Sequence, residues 1–517
     1  MQKPLVLHVA VPTPLRRRFD YLAPEGVNEH QLLPGIRVSV PFGKKTITAI
    51  LIEYSYETDV APNKLKSAIR LLDEQAIIPA NILSWLIWMA EYYHHPIGDV
   101  IFSAIPALLR QGKPISHAYQ DRWNLKSSIN NDDIDDLKRA PKQQALAKLL
   151  QQHPDGLDGE QLNTFFENWR PALKALDEKN WLEKKQALAF LAHPSTPPNP
   201  PLLNDEQQAA VEKIKQHSDQ FHAFLLDGVT GSGKTEVYLR VIEETISRDK
   251  QALILVPEIG LTPQFLRRFQ ERFSHSIALL HSGMSDSERL LHWLAIKQNK
   301  AKILIGTRSA VFSPFENLGV IIIDEEHDGS YKQQDSFRYS ARDMAVIRAH
   351  REKIPVILGS ATPSFESLNN VENKRYTALH LTQRAGLAVQ PKFHLIDLKG
   401  QILKENLSHT LINTMKKHLE NNNQILLFLN RRGYAPAMLC HQCGWVAMCN
   451  RCELPLTLHF NSKRLRCHHC GKDQRVPPQC PDCSTIDLNA QGYGTERVEQ
   501  LLNELFPHSE VIRVDRD

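Results

Sequence analysis

The sequence predicts an α/β protein built on a parallel sheet with flanking helices, and three observations predict it. AFLLDGVTGSGKT, residues 223 to 235, is a short apolar run closing on a glycine-rich turn, and Gly228 to Thr235 fits G-x-x-x-x-G-K-[ST]. TEVYLRVIEETI (235 to 246) then has helical spacing. Four further apolar runs end in small or polar residues: LILVPEIGLTPQ (253 to 264), ILIGTRSA (303 to 310), VIIIDEEH (320 to 327) and VILGSATPS (356 to 364). Ligands of a parallel α/β sheet bind at the carboxyl ends of its strands, so these runs would deliver polar groups to one edge.

Size and composition bound the rest. A chain of 517 residues suggests three or four domains. Its 62 Lys and Arg against 58 Asp and Glu give +4, too little to mark a nucleic-acid binder by itself. No apolar run reaches the ~18 residues of a membrane span, so no membrane partner is expected. MQKPLVLHVAVPTPLRRRF lacks a signal peptide's layout and reads as a first strand, which points to the cytoplasm.

In chain order, residues 1–110 read as a small β-rich domain. LVLHVAVP (5 to 12), RVSVPF (37 to 42) and TITAILIEY (46 to 54) alternate or run apolar like strands. Asn81 to Tyr93 is aromatic-rich and helix-like. Residues 111–200 differ: SSINNDDIDD is a polar linker candidate, and PKQQALAKLLQQHP, DGEQLNTFF and RPALKALDEKNWLEKKQALAFL give helices followed by a short strand. That order fits a winged helix, a module that binds DNA or protein. HPSTPPNPP (193 to 201) is a proline-rich hinge. Residues 201–385 form the sheet domain, and 386–517 a second α/β segment.

The glycine-rich turn assigns roles. Backbone N–H groups from Gly228, Val229, Thr230, Gly231, Ser232 and Gly233 would cradle phosphates at a helix N-terminus. Lys234 would reach the β/γ-phosphates of ATP, and the Thr235 hydroxyl would hold Mg²⁺. Gln207, upstream, is a candidate for the adenine edge. Asp324 should hold Mg²⁺, Glu325 should orient and deprotonate the attacking water, and Glu326 and His327 complete the box. A chance glycine turn or a capped strand would explain either motif alone, but not both in their strand–loop–helix setting.

All eight cysteines lie in four C-x-x-C pairs: Cys440/Cys443, Cys449/Cys452, Cys467/Cys470 and Cys480/Cys483. Each pair is half a tetrahedral site, so eight thiolates make two closed structural zincs. Three pairings are possible. Joining Cys449/Cys452 to Cys467/Cys470 leaves a 14-residue loop, which fits a zinc ribbon. His441, His459, His468 and His469 are further donors, but eight sulfurs already fill both shells. Between Gln424 and Cys483, eight Lys/Arg against three Asp/Glu give +5. Two Zn(Cys)₄ centres, each formally −2, reduce that to about +1, so protein docking is as well supported as DNA contact.

GVTGSGKT, VPEIGLTPQ, IGTRSA, DEEH and GSATP together resemble a superfamily 2 helicase with RecA-like lobes. DEEH with the loop DGSYKQQDSFRYSARD (328 to 343), FLNRRGYAP (428 to 436) and the eight cysteines is similar to the PriA family of primosomal helicases, across essentially the whole chain. The resemblance implies an ATP-dependent 3′-to-5′ DNA helicase that recognises stalled or branched forks and D-loops and starts primosome assembly. It implies single-stranded DNA, the single-stranded-DNA-binding protein, other primosome proteins and the replicative-helicase loading machinery as partners. It implies that the first domain captures a nascent 3′ end through Phe19, Asp20, Gly43 and Lys66, and that the cysteine pairs nest with 440/443 and 480/483 outermost. It also implies that the 328 to 343 loop couples DNA contact to hydrolysis, with Tyr331, Phe337 and Tyr339 stacking on bases.

Family members continue past the position of Asp517, so the resemblance also implies a truncated second lobe with weak hydrolysis and no unwinding. An RNA helicase on the same motor is disfavoured by the zinc insertion and the N-terminal domain. A fork-binding, partner-recruiting platform without motor activity is the alternative.

Overall fold

A computed structural model describes residues 4–154, 156–188, 200–257, 260, 262–273, 277–384, 392–404, 407–428, 437–440, 442–452, 454–459, 464–467, 470–486, 488–491 and 495–514. Most of the proline-rich hinge, Glu258, Ile259 and Leu261 of VPEIGLTPQ, residues 429–436, and His441, His468 and His469 lie outside them. The chain divides into two units, 1–388 and 389–517.

The first unit opens with β1 (Val6–Ala10), β2 (Phe19–Leu22), β3 (Arg37–Phe42), β4 (Lys45–Ser55), β5 (Lys66–Ser67) and β6 (Arg70–Leu71). Their order is β5-β2-β1-β4-β3-β6. The two edges, β5 and β6, are halves of one stretch: Lys66 pairs with Tyr21 of β2, and Arg70 with Ser39 of β3. The sheet therefore closes on itself, leaving no long open edge to pair with another chain. Its interior is alternate strand residues, Leu7, Val9, Val38, Val40, Ala49 and Leu51.

Helices Ala80–Tyr92 and Ile97–Ser103 come next. Their apolar face, including Trp85, Leu86, Met89 and Ile101, shares one core with Leu253, Leu255 and Phe312 of the sheet domain. These helices are thus packed onto the sheet domain rather than confined to the barrel.

Between them lies a three-stranded sheet, β8-β7-β9, from β7 (Tyr119–Leu125), β8 (Leu157–Asp158) and β9 (Leu182–Leu188). Helices Pro141–Gln152, Gly159–Phe165 and Arg170–Glu178 pack on it. The helix–helix–helix–strand order expected from the sequence is present, with β7 and β8 added. SSINNDDIDD is not a bare linker. Asn130 caps a helix at Asn131–Asp135, accepting from Asp133 N, and Ile134 is fully buried.

The central sheet has seven parallel strands: β10 (His222–Gly228), β11 (Gln251–Leu255), β12 (Ile277–Leu280), β13 (Ile303–Gly306), β14 (Leu318–Asp324), β15 (Pro355–Ser360) and β16 (Thr377–Leu381). The order is β12-β13-β11-β14-β15-β10-β16. Helices cover both faces, so β11, β13 and β15 are buried at every position and β14 at every position before Asp324. This is the RecA-like lobe.

In the second unit, helices His409–Glu420 and Thr495–Leu505 pack through Met415, Val498 and Leu501. Five short antiparallel strands between Ala437 and Gln491 form the cysteine-rich module. HLIDLKG (394 to 400), the described part of ILLFLN (425 to 428) and VIRV (511 to 514) have strand-like composition but are not strands in the structure. They have no ladder partner among the described residues, and Leu395 is 101%, Leu426 92% and Phe428 79% exposed. A strand exists only through its neighbour's hydrogen bonds.

Candidate nucleotide site and metal centres

The cleft at the carboxyl end of β10 holds about 550 Å³, a ligand-sized volume, and Thr230 to Glu236, Asp324 and Glu325 line it. β10 ends at Gly228, and the helix Lys234–Ser247 starts six residues later. Gly231 and Gly233 sit at φ +80° and +83°, the left-handed region that favours glycine. A Cβ at Gly231 would meet nothing within 4 Å, so its backbone lies open to an approaching phosphate. Ser232 Oγ is buried without a partner inside the loop. These features fit an anion held by backbone N–H groups.

Lys234 is buried, and its Nζ donates to Gly228 O at 2.8 Å. Asp324 faces it from the tip of β14. Burial pushes the Asp324 carboxyl above its ordinary range; the Tyr238 hydroxyl and the Lys234 charge oppose this, while the Glu325 charge reinforces it. A carboxylate destabilised by burial is stabilised by a divalent cation, and Thr235 lies on the same cleft. The pair Thr235 and Asp324 therefore fits Mg²⁺.

Gln207 is placed differently from its expected adenine contact. Its Oε1 accepts from Asn204 N at 3.1 Å, and its Nε2 donates to Ser232 O at 2.9 Å. It caps its own helix and braces the phosphate loop, and it does not line the cleft.

The DEEH box splits into two pairs. Asp324 and Glu325 face the cleft, with Glu325 in a left-handed backbone at φ +46°. Glu326 and His327 face β15 and the SATPS segment at its end. Glu326, 1% exposed, accepts from Ser364 N (2.7 Å), Ser364 Oγ (3.0 Å), Ser367 Oγ (3.0 Å) and Arg342 Nη1 (3.2 Å). His327 Nδ1 lies 2.8 Å from Ser360 Oγ and 3.6 Å from Glu325 Oε2. The box is thereby fastened to the SATPS segment and to the end of the 328 to 343 loop.

The aromatic residues of that loop are not presented to solvent, which corrects their assignment as base-stacking groups. Tyr331, Phe337 and Tyr339 are 3%, 3% and 4% exposed. Phe337 lies 5.5 Å from Tyr93 and 5.1 Å from Tyr339, which lies 4.8 Å from Phe312. The Tyr331 hydroxyl is 2.6 Å from Asp324 O and 3.0 Å from Leu255 O. Rings of this size are worth more in the core than in water.

In the barrel, Phe19 packs edge-on against Phe42 at 5.5 Å, beside the turn carrying Gly43 at φ +61°. Lys66, exposed, pairs with Tyr21 one strand over. Asp20 alternates to the opposite side of β2 from Phe19. Its Oδ1 meets His8 Nδ1 at 2.9 Å, and its Oδ2 accepts from Thr58 Oγ1 at 2.6 Å.

The cysteines form two clusters, Cys440/Cys443/Cys480/Cys483 and Cys449/Cys452/Cys467/Cys470, each with its sulfurs within 4.8 Å of one another. Cys440–Cys483, Cys443–Cys480 and Cys449–Cys470 are 3.5, 3.6 and 3.6 Å apart. Tetrahedral Zn–S bonds place sulfurs about 3.8 Å apart, so both clusters fit zinc. Gly444, Gly471 and Ser484, each directly after a C-x-x-C pair, take φ +81°, +71° and +62°.

Sequence reasoning missed Tyr238, although it sits one helical turn after Lys234 and so on the same face. Its hydroxyl donates to Asp324 Oδ1 at 3.0 Å. Arg342, a cation of the 328 to 343 loop that the sequence suggests for phosphate contact, instead pairs with Glu326, a partner visible only in three dimensions.

Fold and site define a helicase of the P-loop class: residues 204–371 match the DEAD/DEAH box helicase family. Residues 8–106 match the 3′DNA-binding domain (3′BD), and 449–475 the PriA DNA helicase Cys-rich region (CRR) domain. The chain belongs to the replication restart protein PriA family. It is 44% identical to replication restart protein PriA of Haemophilus influenzae over 99% of this chain and 70% of that protein. It is 32% identical to that of Bacillus subtilis over 97% of this chain and 71% of that protein. RecG bound to a three-way DNA junction aligns with 37% of this chain and 25% of its own at 22% identity and a TM-score of 0.29, too low to add to the argument. Among the described residues no helix is long and apolar enough to cross a membrane.

Proposed function

We propose that the chain is an ATP-dependent DNA motor that translocates 3′ to 5′ and acts at stalled or branched forks to restart replication. The observation that carries the reading is the meeting of Lys234 and Thr235 with Asp324 and Glu325 in one cleft. Lys234 holds the terminal phosphates, and the N–H groups from Gly228 to Thr235 hold the rest. Thr235 and Asp324 hold Mg²⁺, which when bound neutralises phosphate charge. Glu325 accepts the proton of the attacking water. Glu326 and Arg342 keep the box in register with the SATPS segment.

The barrel reading is a 3′-end site: Phe19 for the terminal base, Asp20 for the 3′-hydroxyl, Gly43 for close backbone approach and Lys66 for phosphate. The two cysteine clusters hold structural zinc and build a docking module for the single-stranded-DNA-binding protein, primosome proteins and the helicase-loading machinery.

The test is nucleotide binding with a fluorescent ATP analogue, with and without Mg²⁺. Lys234→Ala should weaken ATP binding at least tenfold, by roughly the loss of one charge-assisted contact. Asp324→Asn should abolish the gain in affinity that Mg²⁺ gives. Parental affinity and Mg²⁺ dependence in both variants would sink the motor reading. For the barrel, a 3′-phosphate should repel Asp20; equal binding of 3′-hydroxyl and 3′-phosphate strands would remove that site.

A further inference from the structure

Asp20 is held by a residue that belongs to no sequence motif. In β1, Leu7 and Val9 point into the barrel, so His8 between them stands on its outer face. His8 and Asp20 are direct partners in the β1–β2 ladder. On its other flank His8 faces Glu53 of β4, but Glu53 is paired with Arg18. The His8 ring turns to Asp20 instead: its Nδ1 lies 2.9 Å from Asp20 Oδ1 and its Nε2 2.8 Å from Ser55 Oγ. Ser55 Oγ is in turn 2.7 Å from Glu57 O and 3.1 Å from Glu57 N, which ties the far side of the ring to the chain that follows β4. An ionised carboxylate only accepts, so the proton between His8 and Asp20 sits on Nδ1. Thr58 Oγ1 donates to the second oxygen, Oδ2, at 2.6 Å.

We propose that His8 is a positioning residue for the 3′-hydroxyl of a DNA strand, a role that rests on the 3′-end reading of the barrel. The Asp20 side chain is only 15% exposed, so it shows a ligand no more than an edge of its carboxylate. Each carboxylate oxygen can accept two hydrogen bonds. His8 takes one place on Oδ1 and Thr58 one on Oδ2, and these two donors set the direction of the lone pairs that remain. Without His8 the carboxylate keeps its charge but loses its direction. Those two properties act on different strand ends. Charge alone repels a 3′-phosphate, whereas a hydrogen bond from a 3′-hydroxyl weakens steeply when the acceptor is misaligned.

The experiment uses the full chain and short DNA strands that differ only in the last sugar, ending in a 3′-hydroxyl, a 3′-deoxy carbon or a 3′-phosphate, with binding read by fluorescence anisotropy. The parent should prefer the hydroxyl to the deoxy end about tenfold, the worth of one hydrogen bond to a charged group, and should bind the phosphate end worst. His8→Ala should abolish the preference for hydroxyl over deoxy while the phosphate end stays disfavoured. His8→Asn, whose amide nitrogen takes the place of Nδ1, should restore the preference. If His8→Ala does not fold, Ser55→Ala frees the ring from behind with Asp20 untouched, and it should lower the preference too. The parent's preference retained in His8→Ala, or in Ser55→Ala where that variant stands in for it, overturns the role of His8 and leaves the 3′-end site standing. So does an equal weakening of all three ends, the mark of a histidine that only supports the fold. If the parent itself binds hydroxyl and deoxy ends equally, the 3′-end reading falls and the role of His8 with it.

Discussion

The parallel-sheet lobe and the cysteine-rich module are held together by different physics. In the lobe, β11, β13 and β15 are buried at every position, and two apolar layers close over the sheet. Among the described residues of the module, the core amounts to Met438, Ala447, Leu456, Leu458 and Leu465 around Cys449 and Cys467. So few apolar side chains supply little burial free energy, and thiolate–metal bonds must supply the rest. The lobe presents a ligand site on a scaffold that stands without the ligand. The module's sites are the scaffold.

The most severe challenge to this contrast is metal removal. Structural zinc contributes on the order of 10–16 kcal/mol in small domains. A strong chelator should therefore take bound zinc from two per chain to none and make residues 437–491 protease-sensitive, while ATP-analogue binding persists. Survival of the module's protease pattern after complete stripping would erase the distinction. Cys449→Ser should remove one zinc and leave the other.

The converse test sits in β14. Ile322→Ala deletes a fully buried side chain and should lower the lobe's stability by about 2–5 kcal/mol in urea titrations. Zinc content should not change. Loss of zinc in that variant would show that the module borrows its stability.

A pH test sharpens the lobe's side of the contrast. His292 is pushed down to about 4, chiefly by burial, and its Nδ1 accepts from Leu279 N at 2.9 Å. The fold thus holds it neutral, whereas the unfolded chain titrates near 6.5. The unfolded state binds more protons between these values, so stability falls as pH drops from about 6.5 toward about 4. Between about pH 7.5 and pH 5 the loss should be about 2 kcal/mol. A His292→Gln variant should show a flatter acid limb; an identical limb would remove the assignment.

The smallest effect belongs to the module. Ser484 occupies the left-handed position that Gly444 and Gly471 fill after the equivalent pairs. Ser484→Gly should stabilise the zinc-loaded module by up to about 1 kcal/mol, read as slower zinc loss to a chelator.

The sequence made the phosphate loop, the DEEH box and the cysteine pairs legible because each is local. A glycine turn, an apolar run ending in acids and C-x-x-C are written within a few residues. Periodicity also revealed the strands and helices of the lobe. What stayed hidden depends on distant partners. Nothing near Tyr331, Phe337 or Tyr339 shows that Tyr93, Phe312 and Leu255 will cover them. Gln207 reads as a free amide until Ser232 is beside it. HLIDLKG and ILLFLN have strand composition, yet composition cannot furnish the neighbouring chain that a strand requires. Asn130 was the reverse: a capping signal in a stretch that polarity alone made look unstructured.

Tyr238 and Gly359 are fastened to one another by space. A Cβ at Gly359 would fall 1.6 Å from the Tyr238 hydroxyl, the group that steadies Asp324. Neither position is free to drift alone: a methyl at 359 evicts the phenol, and a smaller residue at 238 opens a void against the sheet. Natural variation at these two sites should arrive as paired exchanges, and a library randomising both together should recover combinations that no single-site scan would find.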